Sequence, residues 1–234
     1  MIRDGIDSLS LSKFTKLVLE HENFGNKSYI SLSTGFKTSL VQIRGYRILV
    51  NKVKSLKETR FEVNNPMHID LLKEIWNGLL SNEPFSLKSN LWSDIGFQGT
   101  NPSTDFRGMG ILGAQNLAYF VKNFHEDASN VHSGSADLKY WYPFATAGIN
   151  LSDLTWRLLK DGSLKTHFYN SFANAPSLND FHKVYVSIFV NFHKIWMKCP
   201  RSVMEFNSVL RNFERDLRKQ LKNEDFTFTL PGCN

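Results

Sequence analysis

The sequence is poor in cysteine and has no long apolar run. Its 234 residues include two cysteines, Cys199 and Cys233, which form neither a disulfide framework nor a zinc-ligand pattern. A reduced, intracellular setting is expected. No stretch reaches the roughly 18 apolar residues that a membrane-spanning helix needs, and the N-terminal residues lack the apolar run of a signal peptide. We expect a cytoplasmic protein whose contact with intracellular membranes, where it occurs, is peripheral.

Proline is scarce and the excess of charge is small. Seven prolines and the lack of low-complexity tracts argue against long disordered linkers. A chain that is 41% hydrophobic, with 19 phenylalanines, is large enough to bury one full core. The net charge of +6 is compatible with an acidic partner but too small to indicate nucleic acid. The composition predicts a single compact domain with no nucleic-acid partner.

Basic residues are concentrated between Lys37 and Arg60, where seven of them accompany a single acid, Glu58. This run fits a solvated helix face, and it also fits a patch that faces lipid or phosphate. The sequence leaves both interpretations open.

Three amphipathic patterns begin at a helix-capping residue. They start at Asn65, which precedes Pro66, at Ser177 with Asp180, and at Ser202 with Glu205. In each, apolar residues recur at three- and four-residue spacing, which is typical of a helix packed against a core. Their apolar stripes are Ile69, Leu72, Trp76 and Leu79; Phe181, Val184, Tyr185, Ile188, Phe192 and Trp196; and Phe206, Leu210, Phe213, Leu217 and Leu221.

Other elements are less marked. A helix is predicted over Leu151–Lys160, closed by Gly162, and a weaker one over Leu40–Leu56. Strand-like alternation is limited to Ile30–Leu32 and Phe226–Leu230. The pattern predicts an all-α fold with a domain over 61–222. A helical N-terminal extension, 1–60, which is basic from 37 to 60, precedes it, and a tail, 223–234, follows.

The segment from Trp92 to Leu117 holds one arginine, Arg107, just before a run of glycines. Closely spaced glycines, Asn101 and Pro102 predict a loop over 96–105. A helix capped near Ser103 or Thr104 is expected to follow, so Arg107 is predicted to lie in its first turn.

The glycines Gly108, Gly110 and Gly113 match the dinucleotide-binding pattern G-x-G-x-x-G. That use requires a preceding apolar strand and an acidic residue about 20 positions later, and neither is present. Because glycine costs about 1 kcal/mol relative to alanine inside a helix, another reason for three glycines is needed. Close approach of a backbone, from a neighbouring helix or from a docked partner, is the reason we consider.

Two roles are open for Arg107. It can form a structural ion pair with Asp105 or Asp94, or it can enter the active site of another protein. In the second role its guanidinium binds two oxygens of a transferring phosphoryl group and neutralises the charge of the transition state. Asp105 would then hold the side chain ready, and Gln98 would contact the partner or the backbone.

No catalytic or metal motif is complete in the chain. The histidines show no zinc spacing, and Gly25–Ser28 lacks the glycines of a phosphate loop. Cys199 and His193 imply no third catalytic group. The sequence therefore predicts no cofactor, no metal and no self-contained active site.

The order of residues around Arg107 resembles the signature of the ELMO domain, and specifically that of the ELMOD proteins. The matching residues are Trp92, Gly96, Phe97, Gln98, Pro102, Thr104, Asp105, Phe106, Arg107, Gly108 and Gly110. The resemblance covers about residues 60–215 and continues in His68–Leu80, Tyr142–Ser152, Leu164–Tyr169 and Phe181–Trp196.

The resemblance implies an all-helical GTPase-activating protein for small GTPases of the Arf and Arl families, with a part in vesicle traffic. Arg107 stands at the position of the family's catalytic arginine finger, which acts in trans. GTP and Mg²⁺ would belong to the partner. The chain would regulate another enzyme and would not be an enzyme itself.

A second role remains open. ELMO scaffold proteins carry the same domain without a proper version of this arginine, and they act as non-catalytic adaptors that bind a GTPase or exchange-factor partner. One departure from the family pattern is Ala114, where leucine is usual. Loss of a leucine there would leave a void unless a neighbour fills it, with a small effect on the placement of Arg107.

Overall fold

Every regular element in the described part of the chain is a helix. The structure is a computed structural model, and it describes residues 26–171 and 174–229. The α-helices are α1 (Asn26–Glu58), α2 (Pro66–Leu79), α3 (Leu91–Asp94), α4 (Gly110–Asn123), α5 (His125–Ser135), α6 (Phe144–Lys160), α7 (Lys165–Ser171), α8 (Leu178–Trp196) and α9 (Phe206–Gln220). Two 3-10 helices span Pro102–Arg107 and Val203–Glu205. The predicted all-α fold is confirmed.

Helix α4 lies at the centre of the domain. It contacts α1, α2, α5, α6 and α8 as well as the first 3-10 helix. Ten of its fourteen residues are buried, which is the pattern of a helix enclosed on all sides and not of one with a single apolar face. The helix that follows Arg107 is therefore held by most of the domain.

The predicted caps are confirmed. Asn65 accepts a hydrogen bond from the Met67 amide at 3.0 Å, and Pro66 is the first helical residue of α2. Ser177 and Asp180 form a reciprocal capping box at the start of α8. Ser202 and Glu205 form another, although it opens a short 3-10 turn that leads into α9. Gly162 closes α6 with a φ of 86°.

Neither of the two strand-like segments is a strand where the structure describes it, in keeping with the predicted all-α fold. Ile30–Leu32 lies inside α1 and not in a strand. Residues 226–229 contain no strand, and Leu230 lies outside the described residues. The weak helix expected over Leu40–Leu56 is part of the much longer α1, which continues through Gly45. A side chain at Gly45 would meet Ala175, since a Cβ there would lie 2.5 Å from the Cβ of Ala175.

Helix α1 packs on the same core as the rest of the domain. Tyr46, Leu49 and Val53 are buried in it, and the Tyr46 hydroxyl donates to the Leu159 carbonyl at 2.6 Å. The boundary near residue 60 stays a prediction.

A buried polar chain links α4, α6 and α8. His182 Nδ1 lies 2.7 Å from Asn116 Oδ1, and the Asn116 amide donates to the Ser152 hydroxyl at 2.9 Å. Burial lowers the pKa of His182 to about 4, and the nearby charge of Lys52 on α1 acts in the same direction. The imidazole is therefore neutral in the folded protein at neutral pH, so this histidine is part of the core.

Candidate functional site

Aromatic side chains form the base of the segment that carries Arg107. Trp92 is fully buried and lies with its ring 4.8 Å from that of Trp76 and 5.3 Å from that of Phe97. Phe106 continues the row, 5.7 Å from Phe97 and 5.1 Å from Phe61. Such ring pairs add stability beyond their buried area. The residue just before Arg107 is thus fixed in a packed aromatic row.

The loop between Trp92 and Arg107 is held by the beginning of α6. Gly96 has a φ of 92°, and a Cβ there would lie 2.3 Å from the Phe144 amide nitrogen. The Gly96 carbonyl accepts from the Thr146 amide at 3.1 Å and from the Thr146 hydroxyl at 2.9 Å. Only glycine permits this close approach with this backbone. Gly96 therefore allows the loop to pack closely against the start of α6.

The helix around Arg107 differs from its prediction. Its cap is Asn101, whose side chain accepts from the Ser103 amide at 3.2 Å, and Pro102 is the first helical residue. The predicted cap near Ser103 or Thr104 is wrong. Arg107 is the last residue of this short 3-10 helix and not part of the first turn of α4, which begins at Gly110.

Arg107 is exposed at the end of that 3-10 helix. Its Nε donates to the Thr104 carbonyl at 2.8 Å. Within the described residues, no carboxylate forms a salt bridge with it and no partner is found for its terminal nitrogens. One N–H of the guanidinium therefore fixes the side chain, while the terminal fork remains available to another molecule.

Asp105 does not hold Arg107, contrary to the role expected for it. Its carboxylate accepts from the Gln98 amide at 2.6 Å and from the Thr104 hydroxyl at 3.2 Å. Burial raises the pKa of Asp105, although these two bonds and the charge of Arg107 act in the opposite direction. Asp105 clasps the loop onto the 3-10 helix, and Gln98 takes part through its backbone while its side chain is exposed.

The three glycines after Arg107 have different surroundings. Gly110 has a φ of 53°, and a Cβ there would lie 2.3 Å from the Thr59 carbonyl oxygen and 2.4 Å from that of Lys57. Gly113 packs against Met109 and Phe106, with its Cβ position 3.2 Å from an atom of each. A Cβ at Gly108 would meet no atom within 4 Å. Internal packing accounts for Gly110 and Gly113, whereas Gly108 leaves the backbone open on the surface.

A dinucleotide site is excluded at these glycines, because the element before them is a 3-10 helix and not a strand.

Ala114, one turn after Gly110, is fully buried in the core. Across the described ranges, no group of three or more His, Cys, Asp or Glu residues could hold a metal ion.

Arg107 borders a groove of about 400 Å³ that the end of α1 completes. The Ile111 amide donates to the Thr59 carbonyl at 2.9 Å, which joins the two walls. Lys57 and Arg60 add two cations, and Glu58 is the one acid among the described residues of the lining. The groove is lined by Lys57, Glu58, Arg60, Phe61, Ser103, Thr104, Phe106, Arg107 and Gly110.

The sequence-predicted site residues are largely brought together. Thr104, Phe106, Arg107 and Gly110 line the groove, while Trp92, Phe97 and Pro102 are buried beneath it. Lys57, Arg60 and Phe61 were not predicted as site residues. The basic run that contains Lys57 and Arg60 was a signal, but nothing in the sequence indicated that its end would meet the arginine segment.

The fold and the groove define an all-helical domain with an exposed, cation-lined groove beside Arg107. The chain belongs to the ELMO/CED-12 family, whose model matches residues 51–210.

Three relatives illustrate the similarity. ELMO domain-containing protein 1 from Bos taurus is 38% identical over 213 residues, which cover 83% of this chain and 65% of the bovine protein. ELMO domain-containing protein 2 from Homo sapiens is 34% identical over 222 residues, 94% of this chain and 76% of the human protein. ELMO domain-containing protein B from Dictyostelium discoideum is 36% identical over 179 residues, 76% of this chain and 62% of that protein.

The chain spans slightly less than two thirds of the bovine relative. No solved structure is significantly similar to it.

Of the helices in the described ranges, none has the length and apolar character needed to cross a bilayer.

Proposed function

We propose that this chain is a GTPase-activating protein for small GTPases of the Arf and Arl families, and that it supplies Arg107 in trans. The observation that carries the proposal is the state of Arg107, which is exposed, held through Nε by the Thr104 carbonyl, and not in a salt bridge with any described carboxylate. Family membership supports the coarser role of an ELMO-type module linked to the regulation of small GTPases.

The chemistry follows from the guanidinium. During GTP hydrolysis, negative charge on the transferring phosphoryl group and the leaving oxygens must be stabilised. A planar fork with two terminal NH₂ groups can bind two of these oxygens at once. Because Nε is already engaged, part of the side-chain entropy is lost before the partner arrives. The partner supplies the phosphate loop, Mg²⁺ and the residue that positions water, so the chain acts as a regulator without a cofactor of its own.

The remaining parts of the site have supporting roles. Lys57 and Arg60 give the groove a positive field, which favours approach of an anionic nucleotide site. Gly108 lets the partner's backbone come close to Arg107, since no side chain stands there. Asp105 and the aromatic row keep the 3-10 helix in place. We place this activity in the cytoplasm, at the surface of intracellular membranes.

A single-turnover assay tests the proposal. A panel of GTP-loaded Arf and Arl proteins is mixed with the native chain, with Arg107→Lys, or with a control, Arg211→Lys, at another exposed arginine. We expect the native chain and the control to accelerate hydrolysis of at least one GTPase, and Arg107→Lys to lose about 10³-fold or more of that acceleration. Lysine keeps the charge but not the fork. Equal rates for all three chains would refute the finger.

A transition-state analogue separates catalysis from binding. GTPase·GDP with aluminium fluoride should bind the native chain far more tightly than GTPase·GDP alone, and Arg107→Lys should lose this difference. A non-catalytic adaptor would instead bind the GTP-loaded partner without any dependence of the hydrolysis rate on Arg107. The absence of a pairing of Arg107 with Asp94 or Asp105 supports the catalytic role over the adaptor role.

A further inference from the structure

The whole excess of positive charge in this chain is carried by α1. Helix α1 contains seven of the 28 basic residues and one of the 22 acidic ones, so the rest of the chain holds 21 of each. The single acid, Glu58, is its last residue and lies 3.7 Å from Lys54. A charge this localised concentrates the positive field of the molecule around α1.

The outer side of α1 combines this charge with exposed apolar side chains. Arg44 lies between Val41 and Ile48, which are seven residues apart and share one face of the helix. Val41 is 38% exposed and Ile48 is 57% exposed. The opposite side of the helix carries Tyr46 and other buried residues that pack on the core. Folding of the domain therefore leaves Ile48 without cover among the described residues.

A cavity of about 480 Å³ adjoins Ile48, between α1 and the α6–α7 corner. Of the described residues that line it, four are cations and none is an acid; they are Arg44, Tyr46, Arg47, Ile48, Val50, Asn51, Lys160 and Lys165. Lys165 Nζ lies 6.0 Å from the centre of the Tyr46 ring. We call the cations and exposed aliphatic residues here, Val41, Arg44, Arg47, Ile48, Lys160 and Lys165, the α1 basic face.

The acid that follows Lys160 in the chain is engaged elsewhere. Asp161 follows Lys160 in the chain, and its carboxylate accepts from Arg218 at 2.7 Å and from the Ser163 hydroxyl at 2.6 Å. It is thus already compensated by an arginine of α9. No salt bridge with a described acid is found for Arg44, Lys160 or Lys165, so these three cations of the lining keep their charge toward the solvent.

The geometry points to a peripheral membrane-binding site, in which the α1 basic face binds a bilayer that contains anionic lipids. Cations that flank exposed aliphatic side chains are the composition of helices that lie in the membrane interface. Lys and Arg attract the anionic headgroups, and Ile48 and Val41 enter the boundary of the acyl chains. Nucleic acid fits less well, because Tyr46, the aromatic residue in the lining, is buried and cannot stack on a base.

Vesicle co-sedimentation of the full chain tests this site. We expect binding to phosphatidylcholine vesicles that contain 20–30% phosphatidylserine, which is weakened by salt, and none to phosphatidylcholine alone. The variant Arg44→Ala/Lys160→Ala/Lys165→Ala should lower the partition coefficient about 100-fold, since each basic residue near the surface contributes about fivefold. A control, Lys88→Ala/Lys139→Ala/Lys198→Ala, removes the same charge from exposed positions outside this face.

Ile48→Ser tests the apolar part separately. It keeps every charge and should lower the partition coefficient several-fold, with no change in the salt dependence. Unfolding by urea checks that each variant is folded.

Three outcomes would overturn the proposal. The first is equal loss of binding in the triple variant and its control, because the effect would then be one of net charge. The second is binding of inorganic phosphate or inositol trisphosphate without any binding of vesicles, which would indicate a site for a free anion. The third is tighter binding of RNA or DNA than of vesicles at the same salt. Arg107→Lys should bind vesicles as the native chain does, so this site and the proposed GTPase-activating function can fail independently.

Discussion

The Arg107 groove and the α1 basic face are both cationic, yet they are built in different ways. Arg107 is one side chain, fixed by a backbone carbonyl on a short helix that rests on a row of aromatic rings. The α1 basic face has several cations on α1 and at the α6–α7 corner, without a comparable support. The first arrangement specifies where a charge is placed, and the second specifies how much charge is present. Substitutions that keep charge but alter geometry should therefore separate them.

The largest effect is expected at Gly110, which joins the Arg107 segment to the end of α1. In Gly110→Ala, the new Cβ would meet three carbonyl oxygens of residues 56–59, and alanine at a φ of 53° is strained. We expect the free energy of unfolding to fall by about 3 kcal/mol, from the sum of left-handed backbone strain and overpacking. Stimulation of GTP hydrolysis should fall as well, whereas vesicle binding should persist under conditions in which the variant is folded.

Gly108→Ala is the matched control for Gly110→Ala. Its φ is −85°, and nothing lies near the added methyl group, so the stability measured in urea should change by no more than about 0.5 kcal/mol. Equal losses at the two glycines would show that the contact with the end of α1 is not what places Arg107.

The next largest effect is a loss of stability on acidification, caused by His182 in the core beneath α1 and α4. His182 has its pKa lowered to about 4 in the folded protein, against about 6.5 in an unfolded chain. Between these values the unfolded chain binds a proton that the folded chain does not. Stability is therefore fully present above pH ~6.5 and is lost as the pH falls toward 4, by at most ~3 kcal/mol for this residue.

Urea unfolding at several pH values between 4 and 7 measures this loss. The variant His182→Gln should show a smaller loss on acidification, while His125→Gln, at an exposed histidine, should follow the native chain. His167 and His193, whose pKa values burial also lowers to about 4, will keep part of the dependence. An unchanged pH profile in His182→Gln would contradict the assignment.

A smaller effect is expected from the clasp that Asp105 makes. In Asp105→Ala the Gln98 amide and the Thr104 hydroxyl lose a charged acceptor, which should cost about 1–2 kcal/mol of stability. Asp105→Ala should reduce the stimulation of GTP hydrolysis by more than its loss of stability explains. The reason is that the loop supports Thr104, which in turn holds Arg107. Asp94→Ala, at an exposed acid in the same segment, should leave both measurements nearly unchanged. Activity retained in Asp105→Ala would mean that the aromatic base is sufficient.

The smallest effect is expected from a substitution that keeps charge in the α1 basic face. Arg44→Lys keeps the charge of the α1 basic face, and we expect the vesicle partition coefficient to change by less than about twofold. The same type of substitution at position 107 should remove most of the stimulation of hydrolysis. A large loss of vesicle binding in Arg44→Lys would indicate that this face also recognises a particular headgroup geometry.

Elements set by nearby residues were predictable from the sequence. The caps at Asn65, Ser177 and Ser202 depend on residues two or three positions away, and all three were found where expected. The cap of the 3-10 helix obeys the same rule, since Asn101 precedes Pro102 as Asn65 precedes Pro66. The Asn101–Pro102 pair is therefore a stronger cap signal than the neighbouring Ser103 or Thr104.

Features that depend on distant residues were not predictable. The groove requires Lys57 and Arg60 to meet a segment that lies more than 40 residues later. The adjacency of Asp105 and Arg107 in the sequence suggested an ion pair, but the carboxylate is directed to the Gln98 amide by the fold of the loop. The length of α1 also exceeded its prediction, because its packing on the core compensates for the low helical propensity of Gly45.

The continuity of α1 has a further consequence for how the two surfaces could cooperate. Ile48 and Lys57 lie nine residues apart on one unbroken helix, a distance of about 14 Å. Helix α1 is thus a spacer of fixed length and phase between the α1 basic face and the Arg107 groove. One residue inserted between these positions would rotate one surface by about 100° relative to the other. A chain resting on a bilayer would then present its arginine in a different direction, although every residue of both surfaces would be intact.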